Sequence, residues 1–192
     1  MTSTTPLPLA AIITAGGASR RFGRDKALAV LDGHTLLERV ALSLSVCSPR
    51  LLVAPPGKYV LGGWQSVPDT RPTEGPLAGL EAGLGALNPG IWAAFSAVDL
   101  PHLTPGFWLR LSAFIQPGTQ AVIGLSADGR RQPLAALYHT SALGQVTALL
   151  NAGERRILAL LERLSVTEVS WAELEEVAPR AYRNVNRVED LG

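Results

Sequence analysis

Leu9-Ala10-Ala11-Ile12-Ile13, followed by Thr14-Ala15-Gly16-Gly17-Ala18-Ser19-Arg20-Arg21-Phe22-Gly23-Arg24-Asp25-Lys26, is the stretch on which the fold of this chain turns. A short, unbroken apolar run is the pattern of a parallel strand covered on both faces, and open α/β sheets bind ligands at the carboxyl ends of such strands. Gly16 and Gly17 follow the run, and without a Cβ their backbone N–H groups can come close to phosphate oxygens. Arg20, Arg21, Arg24 and Lys26 add cationic side chains, the guanidinium groups as planar forks and the lysine as a movable point charge. Flexible backbone beside concentrated positive charge reads as a cradle for a nucleoside triphosphate. A glycine turn with a solvated basic flank is the plainer alternative.

Outward from this strand, apolar runs alternate with helical patterns, which predicts an α/β sheet. Ala27 to Leu31 ends at Asp32-Gly33, and Thr35 to Val46 has helical spacing. Arg50 to Ala54, Ser66 to Asp69, Ile91 to Val98, Gln120 to Leu125 and Leu134 to Tyr138 read as strands. Leu77 to Leu87, Pro105 to Ile115 and Ser141 to Leu164 read as helices, the last interrupted around Asn151-Ala152-Gly153. The Leu9 strand is expected beside the Ile91 strand, where the strand order reverses. The expectation is one domain over residues 9–192 behind a flexible N-terminus, residues 1–8.

Composition narrows the function classes. With 192 residues and 47% hydrophobic content the chain can bury a substantial core. A net charge of +1 gives no general attraction to nucleic acid or to an anionic membrane, so the basic groups act locally. Cys47 is the sole cysteine, which excludes an intrachain disulfide and fits a reducing compartment. Met1 to Pro8 lacks the pattern of a signal peptide, and no apolar run is long enough to span a bilayer. A cytoplasmic setting is expected, with neither nucleic acid nor membrane as partner. His34, His102 and His139 are dispersed, and Cys47 has no neighbouring His or Cys, so a small buried thiol is its simplest reading.

Asp99, in Asp99-Leu100-Pro101, stands at the carboxyl end of the Ile91 strand, where it would face the triphosphate. A carboxylate beside polyphosphate is repulsive unless a divalent cation lies between them, and Mg²⁺ commonly takes one or two carboxylates with phosphate oxygens and water. A strand-terminal Asp capping a turn is the alternative. Pro68-Asp69-Thr70 is likewise ordinary turn composition.

The spacing from Gly16 to Lys26 excludes a Walker A loop, because Arg24 and Asp25 separate Gly23 from Lys26, and G-x-G-x-x-G is absent. The segment resembles the signature loop of the nucleotidyltransferases, in particular the MobA family of molybdenum cofactor guanylyltransferases, L-A-G-G-x-S-x-R-M-G-x-D-K, with Thr14 for Leu and Phe22 for Met. Asp69 with Gly75-Pro76-Leu77-Ala78-Gly79 is similar to the family's aspartate and G-P-L-A-G segment. Gln132 to Leu137, Asn151 to Arg156 and Asn184 to Leu191 resemble three further family segments, although Arg187 and Val188 replace the usual Thr-Pro. Ala54-Pro55-Pro56 departs from the family where relatives often carry an Asn.

The resemblance implies a Rossmann-like nucleotidyltransferase fold, a single-domain three-layer sandwich around a mostly parallel central sheet. It implies that Thr14, Ala15, Gly16, Gly17, Gly23, Lys26, Asp69, Gly75, Gly79 and Asp99 contact the nucleotide, with Arg21, Lys26 and Asp99 catalytic and Asp99 holding Mg²⁺. Gly75 and Gly79 would leave room for a guanine ring whose N1–H and amine meet loop carbonyls. Asn184 and Asn186 would line the pterin phosphate side, an Asx turn before a helix being the local alternative. The implied activity is transfer of GMP from GTP to the molybdopterin cofactor, with transient contact to molybdoenzymes or their chaperones. A nucleotidyltransferase using CTP on molybdopterin or an NTP on a sugar phosphate, and a non-catalytic nucleotide-binding module, remain as other readings.

Overall fold

The computed structural model describes residues 8–16, 25–185 and 190. In chain order the elements are β1 (Leu9–Thr14), a 3₁₀ turn (Lys26–Leu28), β2 (Val30–Leu31), β3 (His34–Thr35), α1 (Leu36–Ser43), β4 (Arg50–Ala54) and β5 (Gln65–Pro68). There follow α2 (Pro76–Gly85), β6 (Trp92–Ala97), α3 (Pro105–Ser112), β7 (Ala121–Leu125), β8 (Arg131–His139), a second 3₁₀ turn (Thr140–Ala142), α4 (Leu143–Asn151), α5 (Ile157–Leu161), β9 (Val166–Val169) and α6 (Trp171–Glu175).

Seven strands form one sheet in the order β5-β4-β1-β6-β8-β7-β9, and β2 pairs with β3 in a small antiparallel ribbon. β1 pairs parallel with β4 on one side and with β6 on the other, from Leu9↔Trp92 to Thr14↔Ala97. The chain runs outward from β1 to β4 and β5, then crosses back to β6, so the strand order reverses between β1 and β6. That is the place where an open α/β sheet leaves a crevice at its carboxyl edge. β8 alone runs against its neighbours, antiparallel to both β6 and β7.

Alternation along the strands explains the layers, because successive side chains of a strand point to opposite faces. Ala11 and Ile13 pack with Leu37, Val40, Phe107, Trp108 and Leu174, which places α1, α3 and α6 on one face. Ala10 and Ile12 pack with Leu77, Leu80, Leu84, Val146, Leu149 and Leu160, which places α2, α4 and α5 on the other. The result is the expected three-layer sandwich.

Local signals account for the element ends. Thr35 caps α1 in a capping box with Glu38, Thr104 accepts from the Phe107 N–H ahead of α3, and Gly75, with φ of 84°, turns the chain into Pro76 at the start of α2. Asp32 and Gly33, both at positive φ, make the turn between β2 and β3.

Three departures from the sequence expectation have physical causes. β8 begins at Arg131 rather than Leu134 because Pro133 sits where the β7 register shifts, a bulge that accepts a residue lacking an N–H. β9 and α6 are unanticipated. Val166–Val169 alternates weakly and, among the described residues, is an edge strand paired with β7 alone, and α6 spans five residues with Leu174 as its buried side chain.

Candidate active site

β1 ends at Thr14, and its carboxyl end opens the site. The Ala15 N–H donates to the Val53 carbonyl at 2.9 Å, so the sheet hydrogen bonding continues one residue past the strand. That N–H is therefore engaged with β4, and it is not a donor for phosphate. A Cβ built on Gly16 would lie 3.3 Å from Asp69 Oδ2, which brings the aspartate that follows β5 to the start of the glycine segment. Asp69 Oδ1 accepts from the Arg71 N–H at 2.9 Å. Asp69 is thus an Asx turn and a neighbour of Gly16 at once, so its two sequence readings are compatible.

α2 arrives from the side. A Cβ on Gly79 would collide with the Thr14 side chain, 2.8 Å from its Cβ, and one on Gly83 would stand 2.8 Å from Ile12 Cδ1. These two contacts fix the helix antiparallel to β1 with its N-terminus at the carboxyl edge of the sheet, where the unpaired N–H groups of a first turn favour anions. They also correct the expected reason for Gly79. The space left by its missing side chain is filled by Thr14, and Thr14 in turn faces the helix. Gly75 keeps open space at its Cβ position, nothing lying within 4 Å.

The loop from Asp69 to Gly75 is held by charge. Arg71 makes a salt bridge with Glu81 of α2 at 2.8 Å and donates to Asn151 Oδ1 at 2.7 Å. Arg155 Nη2 lies 3.0 Å from Glu74 Oε1. Arg155 thereby braces the loop, whereas Arg156 pairs with Glu154 at the surface.

Lys26 and Asp99 meet across the strand-order reversal, Nζ to Oδ2 at 3.9 Å, with side chains 14% and 21% exposed. Lys26 opens the first 3₁₀ turn. Asp99 lies two residues past β6, in a loop that Arg39 ties to the β2–β3 ribbon by donating to the Pro101 and Leu31 carbonyls. Burial pulls the Lys26 ammonium below its ordinary range, while Asp99 and Asp190 oppose the shift by favouring the charge. Asp99 Oδ1 is buried with no hydrogen-bond partner among the described residues. A buried carboxylate oxygen without a donor is unfavourable in a folded protein and suits a cation.

The C-terminal segment returns to the same place. The Val185 N–H donates to the Asp99 carbonyl at 3.0 Å, and Val185 packs with Ala29, Leu31 and Leu36. Exposed Asn184 is set beside the Asp99 loop in this way. Gly17, Arg21, Gly23 and Asn186, with Arg20 and Arg24, lie outside the described residues. Asp25, Tyr59, Asp190, Glu74 and Arg155 belong to the neighbourhood without having been assigned roles from the sequence. Their signal was weak, since a charged or tyrosine side chain in a loop shows its partner only after folding.

Residues 11–167 match the MobA-like NTP transferase domain. The chain belongs to this family. Among MobA-like relatives, a Deinococcus radiodurans protein named "Probable molybdenum cofactor guanylyltransferase" is 52% identical over 96% of this chain and 93% of its own. A Mycobacterium tuberculosis protein of the same name is 36% identical over 96% of this chain and 92% of its own. The crystal structure of molybdopterin-guanine dinucleotide biosynthesis protein A from Archaeoglobus fulgidus superposes with a TM-score of 0.78 at 26% identity, covering 95% of both chains. A 2-C-methyl-D-erythritol 4-phosphate cytidylyltransferase from Thermus thermophilus, at 15% identity and a TM-score of 0.68 over 96% of both chains, shares the fold. Among the described residues of this MobA-like chain, no helix is long and apolar enough to cross a membrane.

Proposed function

We propose that the chain transfers the guanylyl group of GTP to the terminal phosphate of the molybdopterin cofactor, releasing pyrophosphate and leaving the guanine dinucleotide form. The observation that carries this reading is the Lys26 and Asp99 pair, cation and carboxylate 3.9 Å apart at the reversal of strand order. The near full-length similarity to proteins named for this activity supports it.

A phosphate oxygen of the acceptor forms the new bond to the α-phosphorus of GTP, the bond from that phosphorus to the bridging oxygen breaks, and pyrophosphate carries away the electron pair. A phosphomonoester has its second pKa near about 6, so it is largely ionised at neutral pH and needs no strong base. What the protein must supply is alignment and neutralisation of charge. Lys26 is proposed to bind the phosphates, with Arg21 joining it. Asp99, whose Oδ1 has no hydrogen-bond partner among the described residues, is the residue that would hold Mg²⁺, and the metal would neutralise and orient the phosphates. Gly16, Asp69 and Gly75 are proposed on the nucleoside side, Asn184 and Asn186 on the pterin side. The discriminating experiment incubates the protein with Mg²⁺, molybdopterin and GTP, ATP or CTP, followed by mass analysis of the pterin. A guanine dinucleotide product from GTP alone is expected. A cytosine dinucleotide would replace the guanylyl reading with a cytidylyl one.

A further inference from the structure

Lys26 is adjacent in sequence to a carboxylate that it does not use. Asp25 turns the other way, toward the loop that follows β4. Its Oδ1 accepts from the Ala27 N–H at 3.1 Å and so caps the turn that carries Lys26. Tyr59 Oη lies 2.9 Å from both Asp25 oxygens, and Lys58 Nζ lies 2.9 Å from Oδ2 and 4.9 Å from the Tyr59 ring centroid. Tyr59 is itself partly buried against the core on that face of the sheet.

We propose that Asp25 is the positioning residue for Lys26, a carboxylate latch joining the turn that carries the lysine to Lys58 and Tyr59. The inference rests on the reading of Lys26 as the phosphate-binding lysine. A three-residue turn has too few internal hydrogen bonds to hold itself, and a lysine on a four-carbon stem keeps its freedom unless its backbone is fixed. Asp25 supplies both remedies, the cap from within and the tie from outside. Because Lys58 balances the Asp25 charge, Lys26 is directed to Asp99 rather than to its own neighbour. The ion pair is partly exposed, with side chains 39% and 26% accessible, so it adds little to stability. Its effect is to be found in turnover.

The test is a double-mutant cycle on kcat and on KM for GTP, using the full chain with Mg²⁺ and molybdopterin. Asp25→Ala should lower kcat about tenfold or more, because small displacements of a catalytic group are costly, while KM for GTP stays within about threefold. In a Lys26→Ala background the same change should cost nothing further, since a residue acting through Lys26 has nothing left to position. Tyr59→Phe, from the far side of the latch, should reproduce part of the loss. Asp25→Asn keeps the cap acceptor but turns an amide toward Lys58, so it should fall between wild type and Asp25→Ala, and its cycle decides the question if Asp25→Ala does not fold. Unchanged kcat in Asp25→Ala, or losses that multiply with those of Lys26→Ala, would overturn the latch alone. Normal turnover by Lys26→Ala would instead overturn the assignment of Lys26, and the latch with it.

Discussion

Lys26 and Asp99 share one electrostatic problem with opposite signs. Burial works against the Lys26 charge while Asp99 and Asp190 restore it, and a bound anion would add to the same restoring field. Lys26→Ala is expected to lower kcat by about a hundredfold, the order seen on removing a donor to developing phosphate or oxyanion charge. Its thermal unfolding should match wild type, because the side chain is not part of the core; wild-type kcat in the variant would withdraw its role. Asp99→Asn should leave the shape of the loop intact, since Val185 bonds to the backbone carbonyl of this residue and not to its side chain. What the variant loses is charge, so its activity should fall and partly return at raised Mg²⁺. A magnesium titration of kcat that overlays wild type would show that another group holds the metal.

α2 is set against β1 by its glycines. Its residues include Gly79 and Gly83, which lower helix propensity, yet both are spent on close approach to β1 at Thr14 and Ile12. The helix N-terminus is thereby brought to the carboxyl edge of the sheet. Gly79→Ala is expected to destabilise the protein by about 1–3 kcal/mol, the range for inserting a methyl into a filled interior. Urea unfolding measures this directly. Selectivity among GTP, ATP and CTP should be retained by the fraction that stays folded, because the displaced group is Thr14 and not a base. A variant of unchanged stability that nevertheless accepts ATP would return Gly79 to the base pocket.

The molecule as a whole should lose stability in alkali. Burial pushes the Cys47 thiol up to about 12 and raises the phenols of Tyr138 and Tyr182 as well. Each group keeps its proton when folded and releases it when unfolded. The unfolded state therefore binds fewer protons above about pH 9, and stability, fully present below the unfolded pKa values, is lost as pH rises toward the folded ones. Urea midpoints measured from pH 7 to 11 should fall steadily through the alkaline range. Tyr182→Phe should flatten that fall, and it should also gain about 1 kcal/mol at pH 7, because the Tyr182 hydroxyl is buried without a partner among the described residues. Lower stability of Tyr182→Phe at pH 7 would mean that the hydroxyl is satisfied in solution.

The apolar run of β1 and the Ile91 run that leads to Asp99 were legible as strands of an α/β sheet, because strand periodicity and turn chemistry are local properties written in consecutive residues. The alternation of strands and helices predicted an α/β sheet, and the expected neighbouring of the Leu9 and Ile91 strands is met by the β1–β6 pairing. Less local features were not legible. Val166–Val169 becomes a strand only because β7 offers an edge, and Pro133 enters β8 only because the register shifts opposite it. Arg155 bracing Glu74, Tyr59 meeting Asp25 and Val185 returning to Asp99 join residues far apart in the chain. A side chain's type states what it could bind, and the sequence determines that much by itself. Which partner it receives depends on which loops the sheet brings to one edge, and only the tertiary structure decides that.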